Sequence, residues 1–201
     1  MTNSCNVEFY DESIHTTVTD DPTTVSLWLR HTQFIHCRLL HLIAGLDVEW
    51  RPSFTSGGRY PVAVLQICVG RRCLIYQMLY SGYIPHSLAR FIANPFITFV
   101  GVGVKEDLKK LERDYGLGNH AKFVDLRELA AYVYDRTELR QAGLKSLANV
   151  VLGKDMEKPK DVTLSRWDYR RLTTAQVRYA CLDAFVSFEI GRILTASVLI
   201  T

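Results

Sequence analysis

Two acidic residues, Asp47 and Glu49, follow an apolar stretch of the chain and are separated by a single valine, Val48. Because side chains alternate between the two faces of a β-strand, Asp47 and Glu49 should point to one face and Val48 to the other. Two carboxylates on one face, with apolar residues behind them, repel each other and lose hydration. The pattern therefore predicts a cation between them, and a divalent metal ion is the usual candidate.

A second acidic position, Asp107, follows a predicted strand and lies at the start of a predicted helix. Acidic residues in a first helical turn complement the helix dipole, so Asp107 by itself favours a structural role. The preceding Gly101-Val102-Gly103 lacks the third glycine of a dinucleotide-binding loop. A Rossmann-type nucleotide site is therefore only a weak alternative.

A third acidic position lies in the last predicted helix, where Asp183 follows Tyr179 by four residues. Residues four apart share one face of an α-helix, so the phenol and the carboxylate should point in the same direction. A half-buried tyrosine beside a surface aspartate would explain this pair if it stood alone. The combination of all three positions is more specific, because a purely structural role does not require it.

The elements that must position these residues alternate between strands and helices. Strands are predicted at 6–9, 14–19, 43–50, 62–69, 73–77, 97–104 and 122–125, and helices at 22–36, 87–92, 105–115, 144–151 and 174–198, with another helix directly after 125. Asp21-Pro22 is typical of a helix start, and residues 70–72 of a tight turn between antiparallel strands. This order predicts an α/β fold, a ribonuclease H-like mixed β-sheet flanked by helices, in a single domain over residues 1–201.

The composition is that of an ordinary globular domain, with 48% hydrophobic and 22% charged residues among 201. The formal net charge of +3 permits a nucleic-acid partner without arguing strongly for one. Five cysteines at irregular spacing predict reduced thiols in an intracellular protein, and they match neither a disulfide framework nor a zinc site. The polar N-terminus argues against a secretory signal, and no apolar run is long enough to predict a membrane span.

Taken together, the acidic positions resemble the three motifs of the DEDD exonuclease superfamily, in the branch that carries a tyrosine. Residues 47–49 look like the first motif, Asp107 like the second, and Tyr179 with Asp183 like the third. Residues 143–148 resemble the family's GLKSLA-like stretch, and Arg171 stands where family members often have proline, a departure that should alter a turn and not the chemistry. A further run of positions fits the family pattern before and within the third motif: Lys158, Ser165, Trp167, Arg170, Leu172, Thr173, Gln176, Tyr179, Ala180, Asp183 and Ala184.

The resemblance implies a metal-dependent 3′–5′ exonuclease that uses two Mg²⁺ ions, for which Mn²⁺ can substitute. Asp47, Glu49 and Asp183 would bind the ion that activates water, and carboxylates suit such hard cations. Asp47 would also bridge to the second ion, with Asp107 acting on that ion directly or through water.

Three further residues are candidates for positioning water or substrate, Tyr179 by the same resemblance and the other two by their place in or beside the first motif. Tyr179 would orient the attacking water or help to deprotonate it, and orientation is favoured because a free tyrosine has a pKa of about 10. Val48 and Trp50 would contact the substrate, with Trp50 stacking on a terminal base, although packing at the end of the sheet explains Trp50 equally well. Trp167 is expected in the core.

Within the superfamily, residues 47–50 and 100–108 look closest to the Werner-syndrome-like exonucleases of plants, and the short chain resembles the plant RISC-interacting clearing 3′–5′ exoribonucleases. That resemblance implies degradation of single-stranded RNA, in preference to DNA, by a homohexamer that supports RNA silencing. It also implies Argonaute or other RISC proteins as partners and a cytoplasmic location, with the nucleus as the alternative. Two other functions stay open: a Werner-like DNA exonuclease, and a catalytically silent scaffold that binds nucleic acid.

Overall fold

The computed structural model describes residues 2–53 and 59–200, and its centre is a seven-stranded mixed β-sheet. The order across the sheet is β1-β2-β5-β4-β3-β6-β7. Strands β3, β4 and β5 pair antiparallel, whereas β6 and β7 continue parallel to β3, and β2 runs parallel to β5. This arrangement confirms the predicted mixed sheet. The strands are β1 (Thr2–Phe9), β2 (Glu12–Thr19), β3 (Leu42–Trp50), β4 (Val62–Val69), β5 (Arg72–Tyr76), β6 (Ile97–Gly101) and β7 (Lys122–Asp125).

Helices lie on both faces of the sheet. They are α1 (Pro22–Ile35), α2 (His86–Ile92), α3 (Val104–Tyr115), α4 (Leu126–Tyr134), α5 (Leu144–Leu147), α6 (Lys160–Thr163) and α7 (Thr174–Ile200). Short 3-10 turns occupy Met78–Tyr80 and Thr137–Gln141. The single helix predicted over 144–151 is wrong in its second half, because α5 passes into a π-helical turn at Ala148–Leu152 that ends at Gly153 with a φ of 63°.

Two helix starts show how local sequence sets the boundaries of elements. The Asp21 carboxylate accepts hydrogen bonds from the backbone N–H groups of Thr23 and Thr24, and Pro22 takes the first helical position, as predicted. The strand predicted over 97–104 ends earlier, at Gly101, because Gly103 adopts a φ of 79° and α3 begins immediately after it.

Each face of the sheet has its own apolar core. Helices α1, α2 and α3 cover the face to which Leu46 and Val48 of β3 point, and α4 to α7 cover the other. The long α7 is apolar around most of its circumference, as expected for a helix buried on several sides. It approaches β3 so closely that a Cβ atom added to Gly45 would overlap the carbonyl oxygen of Ala184. The contact brings together the two elements that carry most of the predicted site.

Trp167 and three of the five cysteines lie in the protein interior. Trp167 is fully buried, which confirms its predicted core position. All five cysteines are free thiols, with Cys68, Cys73 and Cys181 buried, so no disulfide supports the fold. Among the residues that the structure describes, no helix is both long enough and apolar enough to cross a membrane.

Candidate active site

The carboxylates of Asp47, Glu49 and Asp183 converge on the face of the sheet that α7 covers. One oxygen atom from each lies within 4.8 Å of the other two. Asp47 and Glu49 share a face of β3 as their spacing predicts, while Val48 is buried in the opposite core. Asp183 joins them because it directly precedes Ala184, the residue of α7 that packs against β3.

Burial and mutual repulsion dominate the electrostatics of this cluster. Burial raises the pKa of Asp47 well above its usual range, and the charges of Asp183, Asp107 and Glu49 raise it further. The pKa of Glu49 is also raised well above its usual range, first by burial and then by Asp183. Both side chains keep part of their surface open to solvent, so the dense surroundings cause these shifts without complete enclosure. A cation bound between the carboxylates would relieve the repulsion.

Lys158 brings a positive charge to the cluster. Its Nζ atom donates a hydrogen bond of 2.6 Å to Asp183 Oδ2 and lies 5.0 Å from the centre of the Tyr179 ring. Burial alone would lower the pKa of Lys158, but the charges of Asp183 and Asp47 outweigh it and raise that pKa above its ordinary value. The sequence indicated Lys158 only as part of the family pattern, because its contact with Asp183 depends on the path of an irregular segment.

The donor set fits a divalent metal ion. Asp183 Oδ1 is buried and has no hydrogen-bond partner among the described residues, which is costly for a carboxylate oxygen. Hard divalent cations bind oxygen ligands, and the three clustered carboxylates offer several. Asp47, Glu49 and Asp183 are therefore the residues that would hold such an ion.

Asp107 lies in the first turn of α3, outside the group of three close carboxylates. Its charge nevertheless raises the pKa of Asp47, so it is near enough to act on the cluster. The pKa of Asp107 itself is raised to about 7, first by burial and then by neighbouring acidic groups. Asp125 accepts a 3.0 Å hydrogen bond from Gly103 N and is bound by Arg127, and this contact fixes the turn from which α3 begins.

Tyr179 lies one helical turn before Asp183 on α7, as the four-residue spacing predicts. Its hydroxyl accepts a hydrogen bond of 3.2 Å from Thr163 Oγ1, and its ring centre is 5.8 Å from that of Trp167. Burial and then the charge of Asp183 raise the pKa of Tyr179 to about 12. A hydroxyl with that pKa is protonated at neutral pH, so it can donate a hydrogen bond but is a poor base.

Val48 and Trp50 differ in what they offer a substrate. The Val48 side chain is 3% exposed within the core, so only its backbone groups are left for such a contact. Trp50 is 39% exposed, and Lys110 Nζ lies 4.9 Å from its ring centre. Substrate contact by these two residues stays a prediction.

Gln66 is a polar residue to which the sequence assigned no role, although the strand Leu65-Gln66-Ile67 fits the family pattern. It lies opposite Asp47 in the pairing of β3 with β4 and is fully buried. Neither of its side-chain polar atoms has a hydrogen-bond partner in the described part of the chain. The available signal was a single amide in an otherwise apolar strand, VAVLQICV, but the position of that amide opposite Asp47 depends on the pairing of β3 with β4.

Comparison with known proteins places the chain in a family, since the family model for 3′–5′ exonuclease matches residues 36–198. The chain belongs to the 3′–5′ exonuclease family. A 3′–5′ exonuclease of Arabidopsis thaliana is 36% identical to this exonuclease over 154 residues, which cover 75% of this chain and 51% of the plant protein. The bifunctional 3′–5′ exonuclease/ATP-dependent helicase WRN of Mus musculus is 33% identical over 149 residues, which cover 74% of this chain and 10% of the mouse protein. The exonuclease thus spans about half the length of its plant relative.

The fold of the exonuclease also matches solved structures. Escherichia coli RNase D, an exoribonuclease involved in structured RNA processing, superposes with a TM-score of 0.74 at 18% sequence identity. The match covers 91% of this chain and 45% of RNase D. It confirms the predicted ribonuclease H-like architecture, and the family match confirms the resemblance that the acidic motifs indicated.

Proposed function

We propose that this exonuclease removes nucleotides from the 3′ end of single-stranded RNA with the help of two Mg²⁺ ions, which Mn²⁺ can replace. The observation that carries the proposal is the convergence of Asp47, Glu49 and Asp183 within 4.8 Å, with Tyr179 one helical turn away. Asp107, whose charge acts on Asp47 from outside this group, completes the set of acidic residues. The whole of residues 1–201 would act as one exonuclease domain.

The side chains of this site have separable tasks. When bound, divalent ions lower the pKa of a water molecule and neutralise charge that develops on a phosphate. Asp47, Glu49 and Asp183 would bind these ions, with Asp107 contributing directly or through water. The protonated Tyr179 hydroxyl, held by Thr163, orients the attacking water by donating a hydrogen bond to it.

RNA as the substrate is supported by the resemblance of the short chain to the plant exoribonucleases. The chain also shares its fold with RNase D, which is itself an exoribonuclease. A Werner-like preference for DNA is the competing substrate, because the exonuclease is 33% identical to part of the mouse WRN protein.

Matched oligonucleotides test this proposal. Single-stranded RNA and DNA of one sequence, labelled at the 5′ end, are incubated with the purified protein in Mg²⁺, Mn²⁺ or a chelator. We expect products that shorten one nucleotide at a time from the 3′ end with either metal, faster on RNA, and none with the chelator. Asp47→Ala should be inactive with an unchanged circular dichroism spectrum. Faster hydrolysis of DNA would favour the Werner-like function, and binding without hydrolysis would favour a silent scaffold.

We further propose, from the same resemblance, a homohexamer that acts in the cytoplasm with Argonaute or other RISC proteins. Exposed apolar side chains around the connection from α1 to β3 support an interface between copies, since Phe34, Leu40 and Phe96 are 74%, 86% and 60% exposed. Light scattering after gel filtration should give six times the chain mass of 23.0 kDa. A monomer at micromolar concentration would contradict the hexamer.

A further inference from the structure

We infer that a basic cavity at the end of β3 binds the backbone phosphates of the nucleotides upstream of the one that is removed. The cavity has a volume of about 480 Å³ and lies where the chain leaves the strand that carries Asp47 and Glu49. The inference rests on the proposed function, because it assigns a second part of the same substrate to this chain.

The charge of the lining favours an anion. Four cations, Arg51, Arg59, Lys110 and Arg113, and one carboxylate, Asp114, line the basic cavity. Four positive charges less one negative charge leave +3 on the lining of the cavity. Polyanionic backbones bind where positive charge is concentrated in this way.

The cavity is partly organised before any ligand binds. Lys110 Nζ donates hydrogen bonds of 2.7 Å to Tyr60 O and 2.9 Å to Asp114 Oδ2, and it lies over the Trp50 ring. The Arg51 guanidinium lies 4.8 Å from the centre of the Tyr60 ring. Aromatic rings beside fixed cations are the arrangement with which proteins bind single strands, with bases on the rings and phosphates on the cations.

Two cations of the lining remain open to solvent. Arg59 is exposed, and Arg113 is more than half exposed although its Nε lies 3.2 Å from Asp114 Oδ1. Both guanidinium groups are therefore accessible to a phosphate from solvent. They are therefore the residues whose replacement tests the inference most directly.

The basic cavity is lined by residues from the end of β3 and from α3, two elements that also carry site residues. Arg51 follows Glu49 by two residues, directly beyond the end of β3, and its Nη1 atom lies 3.6 Å from Asp168 Oδ2 in the segment that leads to α7. Lys110 lies close to one helical turn after Asp107 on α3. A strand whose 3′ nucleotide lies at the carboxylates would thus carry its next phosphates into the cavity. A duplex could not place its paired bases on the aromatic lining in this way.

Charge reversal at the exposed arginines tests the cavity. The variants are Arg59→Glu and Arg113→Glu, and the control is Arg140→Glu, an exposed arginine of the 3-10 turn Thr137–Gln141 that pairs with Glu128 and does not line the cavity. The measured quantity is the ratio of kcat/KM for a ten-nucleotide RNA to kcat/KM for a dinucleotide. We expect each cavity variant to lower this ratio about tenfold and to reduce the salt slope of RNA binding by about one, with Arg140→Glu like the wild type.

The outcomes separate this inference from the proposed function. An unchanged ratio in both folded cavity variants would refute the binding of upstream phosphates in the cavity. If the wild type binds the ten-nucleotide RNA but hydrolyses neither substrate, the proposed function fails. Weaker RNA binding by Arg59→Glu would then still support phosphate binding in the cavity. If the wild type neither binds nor hydrolyses, both are overturned. Equal displacement of the RNA by polyglutamate of the same charge would indicate an acidic protein partner and overturn the RNA assignment.

Discussion

Replacing Gly45 with alanine should separate the two elements that hold the carboxylate cluster. Gly45 lies two residues before Asp47 on β3 and packs against Ala184, the neighbour of Asp183 on α7. An added Cβ atom would overlap the Ala184 carbonyl oxygen and lie 2.8 Å from Phe188 N. Those two backbone atoms are the acceptor and donor positions of one α-helical hydrogen bond, so neither can rotate aside as a side chain could.

The expected size of the effect follows from these contacts. The 2.8 Å contact with Phe188 N is 0.6 Å shorter than 3.4 Å, where ordinary van der Waals contact begins, and the overlap with the carbonyl oxygen is more severe. Strand β3 and helix α7 must therefore move apart by more than this difference. Overpacking usually costs about 1–3 kcal/mol, and we expect the upper end because rigid backbone opposes the new methyl group. A shift near 1 Å between Asp47 and Asp183 should lower kcat about 10²-fold.

Urea unfolding of the metal-free protein and single-turnover hydrolysis of labelled RNA in Mg²⁺ measure these two effects. Gly191→Ala is a matched control on the same helix, because the three atoms nearest to its new Cβ all belong to the Val100 side chain. We expect this control to lose about 1 kcal/mol and to change kcat by less than about threefold. A Gly45→Ala variant with the stability and kcat of the wild type would refute the proposed coupling between this contact and the carboxylates.

Three other substitutions probe the site residues one at a time. Asp47→Asn should keep or raise the metal-free stability, because repulsion from Glu49 and Asp183 is removed, but Mg²⁺ should no longer raise its Tm in scanning fluorimetry; a wild-type Tm shift would contradict its role as a ligand. Tyr179→Phe should lower kcat about 10²-fold while the Mg²⁺ concentration for half-maximal Tm shift stays unchanged, and an unchanged kcat would remove the hydroxyl from the mechanism. Lys158→Met should cost the metal-free protein about 2 kcal/mol, since Asp183 loses a charged hydrogen bond, and Mg²⁺ should restore most of it in urea unfolding. An equal loss with and without Mg²⁺ would show that Lys158 does not share its partner with the metal.

The directions of the site side chains could be predicted from the sequence, because they depend on local periodicity. The two-residue repeat of a strand places Asp47 and Glu49 on one face, and the four-residue spacing on a helix aligns Tyr179 with Asp183. The start of α1 at Asp21-Pro22 could also be predicted from local sequence. The Asp21 cap and the φ angle fixed by the Pro22 ring both act within the first helical turn. The mixed sheet followed from the order of these elements.

Other features of the fold depended on interactions that no local pattern contains. The N-terminal hairpin of β1 and β2 joins the sheet by parallel pairing of β2 with β5, a choice between edges that the sequence leaves open. The π-helical turn after α5 replaced a predicted regular helix. Its residues pack against the α7 core, and tertiary packing overrides helix propensity in such short segments.

The assembly of the site was decided by tertiary structure alone. The close approach of Gly45 and Ala184 brings Asp183 to a strand far away in sequence, and the same packing buries Gln66 beside Asp47. The ion pair of Lys158 with Asp183 likewise depends on how an irregular segment crosses α7. Sequence alone therefore determined which groups could do the chemistry and which way they point. Only the packing of α7 on the sheet determined the distances between them, because those distances depend on contacts between segments that are remote in the chain.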